Sequence, residues 1–203
     1  MICAGKTSEI RANSGEWIYL DIGFSRDLRT CGLAFNNDEP ECVLFSVAKQ
    51  KITDFIRDAG RKVCNLLIEA PLSVAFDRHG NPVGRSIEKN GRKTRYWYAG
   101  AGCTVMVASL HLLRHLVDSL DDPNIRLFEG FVSYKKCEGR RKSDHAGDVR
   151  LLREVICHPK TFPKSIYDEK RLKSCPDCRL ENAFKVARIS SGVPPVIVRD
   201  APQ

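Results

Sequence analysis

No stretch of this 203-residue chain approaches the roughly 18 consecutive apolar residues that a membrane-crossing helix needs. The opening MICAGKTSEI has no basic-then-apolar signal pattern, so a soluble, cytoplasmic protein with no membrane partner is expected. Internal repeats and low-complexity tracts are also missing, which excludes solenoids and long flexible linkers. Cysteine is present nine times, but the count is odd and the positions are scattered. Cys42, Cys64 and Cys103 fall inside apolar runs, the pattern of small buried hydrophobes in a reducing compartment rather than of a disulfide framework.

What is present suffices for one domain with a real core: 42% of the residues are hydrophobic and 29% charged. The net charge is +8 and is concentrated. Between Arg85 and Arg95 five basic residues stand against Glu88, and between Lys135 and Lys142 five stand against Glu138. These two windows carry the whole excess. Charge gathered in this way suits a polyanion, and two solvated loops would look the same by composition.

Periodicity divides the chain into alternating elements. Residues 1–15 are polar and read as loosely held. Trp17–Phe24, Cys31–Phe35 and Cys42–Val47 read as strands with short links, an antiparallel meander. Ile52, Phe55, Ile56 and Ala59 recur at helical spacing within a helix of about 48–61. Val63–Ala70 is almost wholly apolar before Glu69, as a strand buried on both faces should be. Residues 73–98 read as an inserted hairpin with its turn at Asn90-Gly91. A helix over 104–120, a fifth strand over 125–132, a helix capped by Ser143 or Asp144 and running to about Ile156, and a last helix near 180–190 complete the order. A short Pro194–Val198 segment follows. The expected architecture is α/β: a mixed five-stranded sheet with helices on both faces, in a single domain with its core at 17–156 and a C-terminal helical extension over 157–203.

Asp21 lies within the first strand and Glu69 ends the fourth. If those strands are neighbours, the two carboxylates come close enough to repel strongly, and a divalent cation between them resolves the conflict. Magnesium or manganese is the expected cofactor, because both prefer hard oxygen donors. Phosphodiester hydrolysis uses two such ions about 3.5–4 Å apart. A third carboxylate is expected from Ser143-Asp-His-Ala-Gly-Asp148, where Asp144 and Asp148 are four apart and share a helical face. His145 between them can position water or the leaving group. Glu129 and Glu181 are rival third ligands. The same acids also have ordinary uses, as turn formers at strand ends and as complements to a helix dipole.

Tyr19-Leu-Asp-Ile-Gly-Phe-Ser25, Ile68-Glu-Ala-Pro-Leu72 and Ser143–Leu152 together resemble the three acidic motifs of the RNase H-like superfamily. They are closest to its RuvC-like branch and to a related family of uncharacterised predicted nucleases. Glu69-Ala-Pro71 is similar to that family's acid-x-Pro element, and Glu129-Gly-Phe131 to the end of its fifth strand. The resemblance covers roughly 17–156 and implies an RNase H-like fold, metal-dependent hydrolysis of DNA or RNA, and Asp21, Glu69, Asp148 and His145 as the catalytic set. It departs from the family at the 73–98 insertion and at the last helix. If that helix is the family's final one, Glu181 takes the third-ligand role and Asp148 becomes peripheral. A catalytically inactive RNase H-like binding module is one alternative. An actin-like ATPase or phosphotransferase is another, suggested by Asp-Ile-Gly alone and weakened by the lack of a glycine-rich late motif.

Three further constellations complete the reading. Arg92, Lys93, Arg95 and Trp97 combine phosphate-binding charge with a stacking face, a mixture suited to single strands. Lys135, Lys136, Arg140, Arg141 and Lys142 precede the acidic helix and are expected to contact a nucleic-acid backbone. A homodimer is a further expected partnership. Cys175-Pro-Asp-Cys178 has zinc-knuckle spacing, with Cys157 and His158 as the other candidate ligands of a structural zinc.

Overall fold

Runs of β-branched and aromatic residues alternate along this chain with runs at helical spacing, and the computed structural model realises both. It describes residues 1–23, 31–90, 93–94, 101–133, 144–184 and 192–200. In order these form β1 (Ile2–Ala4), α1 (Thr7–Ala12), β2 (Glu16–Ile22), β3 (Cys31–Phe35), β4 (Glu41–Val43), α2 (Phe45–Ala59) and β5 (Cys64–Glu69). The middle of the chain gives β6 (Ser73–Phe76), β7 (Pro82–Val83), a single 3-10 turn at Ser86–Glu88, β8 (Lys89–Asn90), β9 (Lys93–Thr94) and α3 (Ala101–Ser119). The remainder gives β10 (Ile125–Ser133), α4 (His145–Cys157), β11 (Ile166–Tyr167), α5 (Glu169–Leu172), β12 (Arg179–Asn182) and β13 (Val196–Asp200).

The main sheet has the order β11-β13-β10-β5-β2-β3-β4, with β1 beside the first half of β10. Strands β2, β5, β10 and β13 run parallel, whereas β3 and β4 turn back as a meander. Helices cover both faces, and the two-residue alternation of the strands decides which side chain meets which helix. Ile18, Leu20 and Ile22 of β2 pack with Leu66 and Ile68 of β5 against α2 (Ala48, Ile52, Ile56) and α3 (Leu112, Leu113, Leu116). On the other face Trp17, Tyr19, Leu67 and Phe128 pack against Ile10 of α1 and against Val149, Leu152, Val155 and Ile156 of α4. Burial on both faces explains why β5, apart from Asn65 near its start, is apolar until its terminal acid.

The mixed sheet with helices on both faces matches the expected class, but the sheet has eight strands rather than five. One addition is β1, which pairs with β10 while Ile10 of α1 is fully buried, so residues 1–12 are structural rather than loosely held. Another is β13, whose Val196 and Ile197 are both buried beside β10. The third meander strand stops at Val43, and α2 begins at Phe45 instead of 48 because Ala48, Ile52 and Ile56 set a helical face from the start.

The insertion is more elaborate than one hairpin. Strands β6 and β7 pair around a turn in which the Asp77 carboxylate accepts hydrogen bonds from the backbone N–H groups of His79 and Asn81, at 2.8 and 2.9 Å. Strands β8 and β9 pair separately around residues 91–92. The last helix expected near 180–190 is contradicted at its start: residues 179–182 are β12, paired antiparallel with β6. There Leu180 and Asn182 are buried and Arg179 points out, a period of two that overrides the helical propensity of the segment.

Candidate metal centre

Asp21 is the direct register partner of Glu69 across the parallel β2–β5 pair. In neighbouring parallel strands, partners project to the same face, and here it is the face that carries Trp17, Tyr19 and Leu67 and is covered by α4. Both acids are almost fully buried, 4% and 3% exposed. The backbone N–H of Val132 in β10 donates to Glu69 Oε1 at 3.2 Å, which holds that carboxylate against the sheet.

The N-terminus of α4 brings the remaining donors. Asp148, in the first turn, is 6% exposed. His145 Nδ1 lies 2.6 Å from Asp21 Oδ2, a contact that places a proton on Nδ1 when the carboxylate accepts it. One ligand atom each from Asp21, His145 and Asp148 fall within 4.8 Å of one another. Two buried carboxylates beside one imidazole concentrate negative charge there, partly offset by the positive end of the α4 dipole, while Glu69 pairs in register with Asp21 but lies outside this group. Carboxylate oxygens with one nitrogen form a donor set that fits a hard divalent cation.

Two glycines make this seating possible. Gly32 of β3 is the register partner of Asp21 on its other side. A Cβ at Gly32 would sit 2.1 Å from the His145 carbonyl oxygen, so α4 reaches Asp21 only because β3 carries no side chain there. A Cβ at Gly147 would sit 2.5 Å from Asp144 Oδ2. The space lets the Asp144 carboxylate fold back as the helix cap and accept from the Gly147 N–H at 2.9 Å.

The other anticipated ligands lie elsewhere. Asp144 is exposed and occupied as the cap of α4, outside the Asp21–His145–Asp148 group. Glu129 projects from the opposite face of β10. It is fully buried there, with Arg85 donating to it at 2.7 and 2.8 Å and the Leu72 N–H at 2.8 Å. Burial pushes the Glu129 carboxyl upward against the pull of the Arg85 guanidinium. Arg85 also meets Glu88 at 3.0 Å, and all three side chains are wholly buried. Glu181 sits on β12 in an ion pair with Arg179 at 3.1 Å.

The residues expected to hold zinc are not gathered into one ligand group among the described residues. Cys175 and Cys178 are joined as a disulfide, which removes the thiolates that zinc requires. Cys157, the last residue of α4, is an exposed free thiol, and His158 caps that helix. Among the described residues the one group of His, Cys, Asp or Glu with metal-binding spacing is Asp21–His145–Asp148.

Of the basic candidates, Arg92, Arg95, Trp97, Lys135, Lys136, Arg140, Arg141 and Lys142 lie outside the described residues, and Lys93 is described only as backbone in β9. Arg85 does not belong to a polyanion-binding surface, since its charge is spent internally on Glu88 and Glu129. Gly32 was missed in the sequence, although a glycine inside an apolar strand is a signal of close backbone approach. Arg85 and the Val132 N–H carried no such signal.

No protein-family model matches the chain, and no curated protein or solved structure shows significant similarity to it. Among the described residues no helix is long and apolar enough to cross a membrane.

Proposed function

We propose that this chain is an RNase H-like, metal-dependent nuclease that hydrolyses phosphodiester bonds of DNA or RNA. The observation that carries the reading is the register pairing of Asp21 with Glu69 under a helix that adds Asp148 and His145 to the same face. The run β4-β3-β2-β5-β10, with β3 antiparallel and β2 beside β5, supports it, because that is the neighbour relation the resemblance requires.

Asp21, Glu69 and Asp148 would hold magnesium or manganese. Such ions supply Lewis-acid stabilisation of charge developing on phosphate oxygens and make water a stronger nucleophile. His145 would fix the orientation of Asp21 and could position water or the leaving group. The concentrated positive charge of 89–95 and 135–142 supports nucleic acid as the partner.

Replacing Asp21 by Asn keeps the shape of the side chain and removes its charge. Magnesium-dependent cleavage should then be abolished while nucleic-acid binding persists. Cleavage at the wild-type rate would overturn the assignment, and salt-dependent binding without cleavage by the wild-type protein in any metal would point to an inactive binding module.

A further inference from the structure

The Cys175–Cys178 bridge is the one disulfide among the described residues, and it coexists with the thiols of Cys3, Cys42, Cys64, Cys103 and Cys157. Three of those thiols, Cys42, Cys103 and Cys157, are exposed. A chain that keeps exposed thiols free while closing one three-residue-spaced pair is not built as a disulfide scaffold. So short a loop also constrains the unfolded chain less than a long one would, which makes the bridge a weaker structural staple. The fold does not depend on it for anchorage: Leu172 before the pair and Leu180 after it are both buried in one small core with Ala75, Ile87 and Phe131.

The two sulfurs differ in a way that suits exchange chemistry. Cys175 is exposed, whereas Cys178 is 2% exposed. The Ser174 hydroxyl lies 3.4 Å from Cys178 Sγ, and the Cys178 N–H donates to the Cys175 carbonyl at 3.2 Å. Lys173 and Arg179 flank the pair, against Asp177 within it. An attacking thiolate therefore reaches Cys175. The sulfur it displaces is the buried one, where a hydroxyl can donate to the developing thiolate and make it a better leaving group.

We propose that Cys175–Cys178 is a reversible thiol–disulfide exchange site whose substrate is a small thiol or dithiol. The incoming thiolate forms a bond to Cys175 Sγ as the Cys175–Cys178 bond breaks, and the electron pair leaves on Cys178 Sγ. A second thiolate then attacks the mixed disulfide and releases Cys175. Two external thiols are oxidised to one disulfide, and the protein gains two electrons and the two protons they give up. This site is independent of the nuclease reading.

The test is differential alkylation with mass mapping on the full chain equilibrated in graded mixtures of reduced and oxidised glutathione. Reduction of Cys175–Cys178 while the chain stays folded, with an unchanged melting temperature, is the expected result. A bridge that opens only on unfolding would overturn the proposal, as would purified protein holding a stoichiometric zinc ion on these two sulfurs. In oxidised glutathione, Cys178→Ser should gain the mass of one glutathione on Cys175, and Cys175→Ser should gain none on Cys178. Equal modification of both variants, or of neither, would contradict the assigned direction of attack.

Discussion

Gly32 and Asp21 face each other across the β2–β3 ladder, and the space left by the glycine is filled by the carbonyl of His145. A strand position without a side chain thus sets the distance between the first acidic motif and the helix that carries the other donors. Gly32→Ala places a methyl against backbone rather than against a flexible side chain. Overpacking of this kind costs about 1–3 kcal/mol. Chemical denaturation should register that loss, and divalent-cation affinity should fall with it because the N-terminus of α4 is pushed away from Asp21.

Asp144 and Asp148 are four residues apart on one helix, yet they are expected to respond differently to the same change. Asp144→Asn preserves a capping side chain and should leave cation binding intact, whereas Asp148→Asn should weaken it strongly. Removing the cap altogether with Asp144→Ala should cost about 0.5–2 kcal/mol of stability. Parallel melting and metal-titration curves for the three variants separate the two roles.

Much of this was legible beforehand, and the boundary is physical. Asp21 and Glu69 stand out because each follows a strong apolar run, and apolar runs locate strands. Their adjacency required only that the first and fourth strands be neighbours. The helix from 145 was visible in the spacing of Val149, Leu152 and Val155. What stayed hidden depends on contacts distant in sequence: that Glu129 lies on the far face with Arg85, that residues 1–12 build sheet and core, and that Leu180 and Asn182 alternate as a strand against β6. Local composition does not encode a partner 44 residues away, which is the separation of Arg85 from Glu129.

The same triad gives a stability prediction. Arg85→Ala leaves Glu88 and Glu129 buried without their cation, and breaking a buried ion pair from one side typically costs about 3–5 kcal/mol. Urea denaturation of Arg85→Ala should show a loss of that order. A change below about 1 kcal/mol would mean that solvent reaches this cluster.

Thiol reactivity should sort by burial. Burial raises the Cys64 thiol to about 11, and the residue has no exposed surface. Near neutral pH, iodoacetamide should label Cys42, Cys103 and Cys157 on the folded protein and spare Cys64 and Cys31 until denaturant is added. Early labelling of Cys64 would show that β5 is not the central buried strand.

Glu16 gives the pH dependence. The Lys62 ammonium donates to it at 2.9 Å and the Asn36 amide at 2.7 Å, and these hydrogen bonds hold its carboxyl below the usual range. A carboxyl depressed in the folded state stabilises the fold above its unfolded pKa and loses that contribution as pH falls through its folded value. Glu16→Gln should therefore flatten the acid limb of stability against pH, measured by urea midpoints, and, because Glu16 also raises the Lys62 ammonium, flatten the alkaline limb in the range where that lysine loses its proton.

The proposed nuclease requires a divalent cation at the buried Asp21–His145–Asp148 group, beside Glu69. Manganese titration followed by electron paramagnetic resonance tests it most directly, because free and bound ions give distinct signals. Saturable binding in the wild-type protein that is lost in both Asp21→Asn and Asp148→Asn, with both variants still folded, is the predicted result. Manganese binding of equal strength in all three proteins, or none in the wild type, would contradict it.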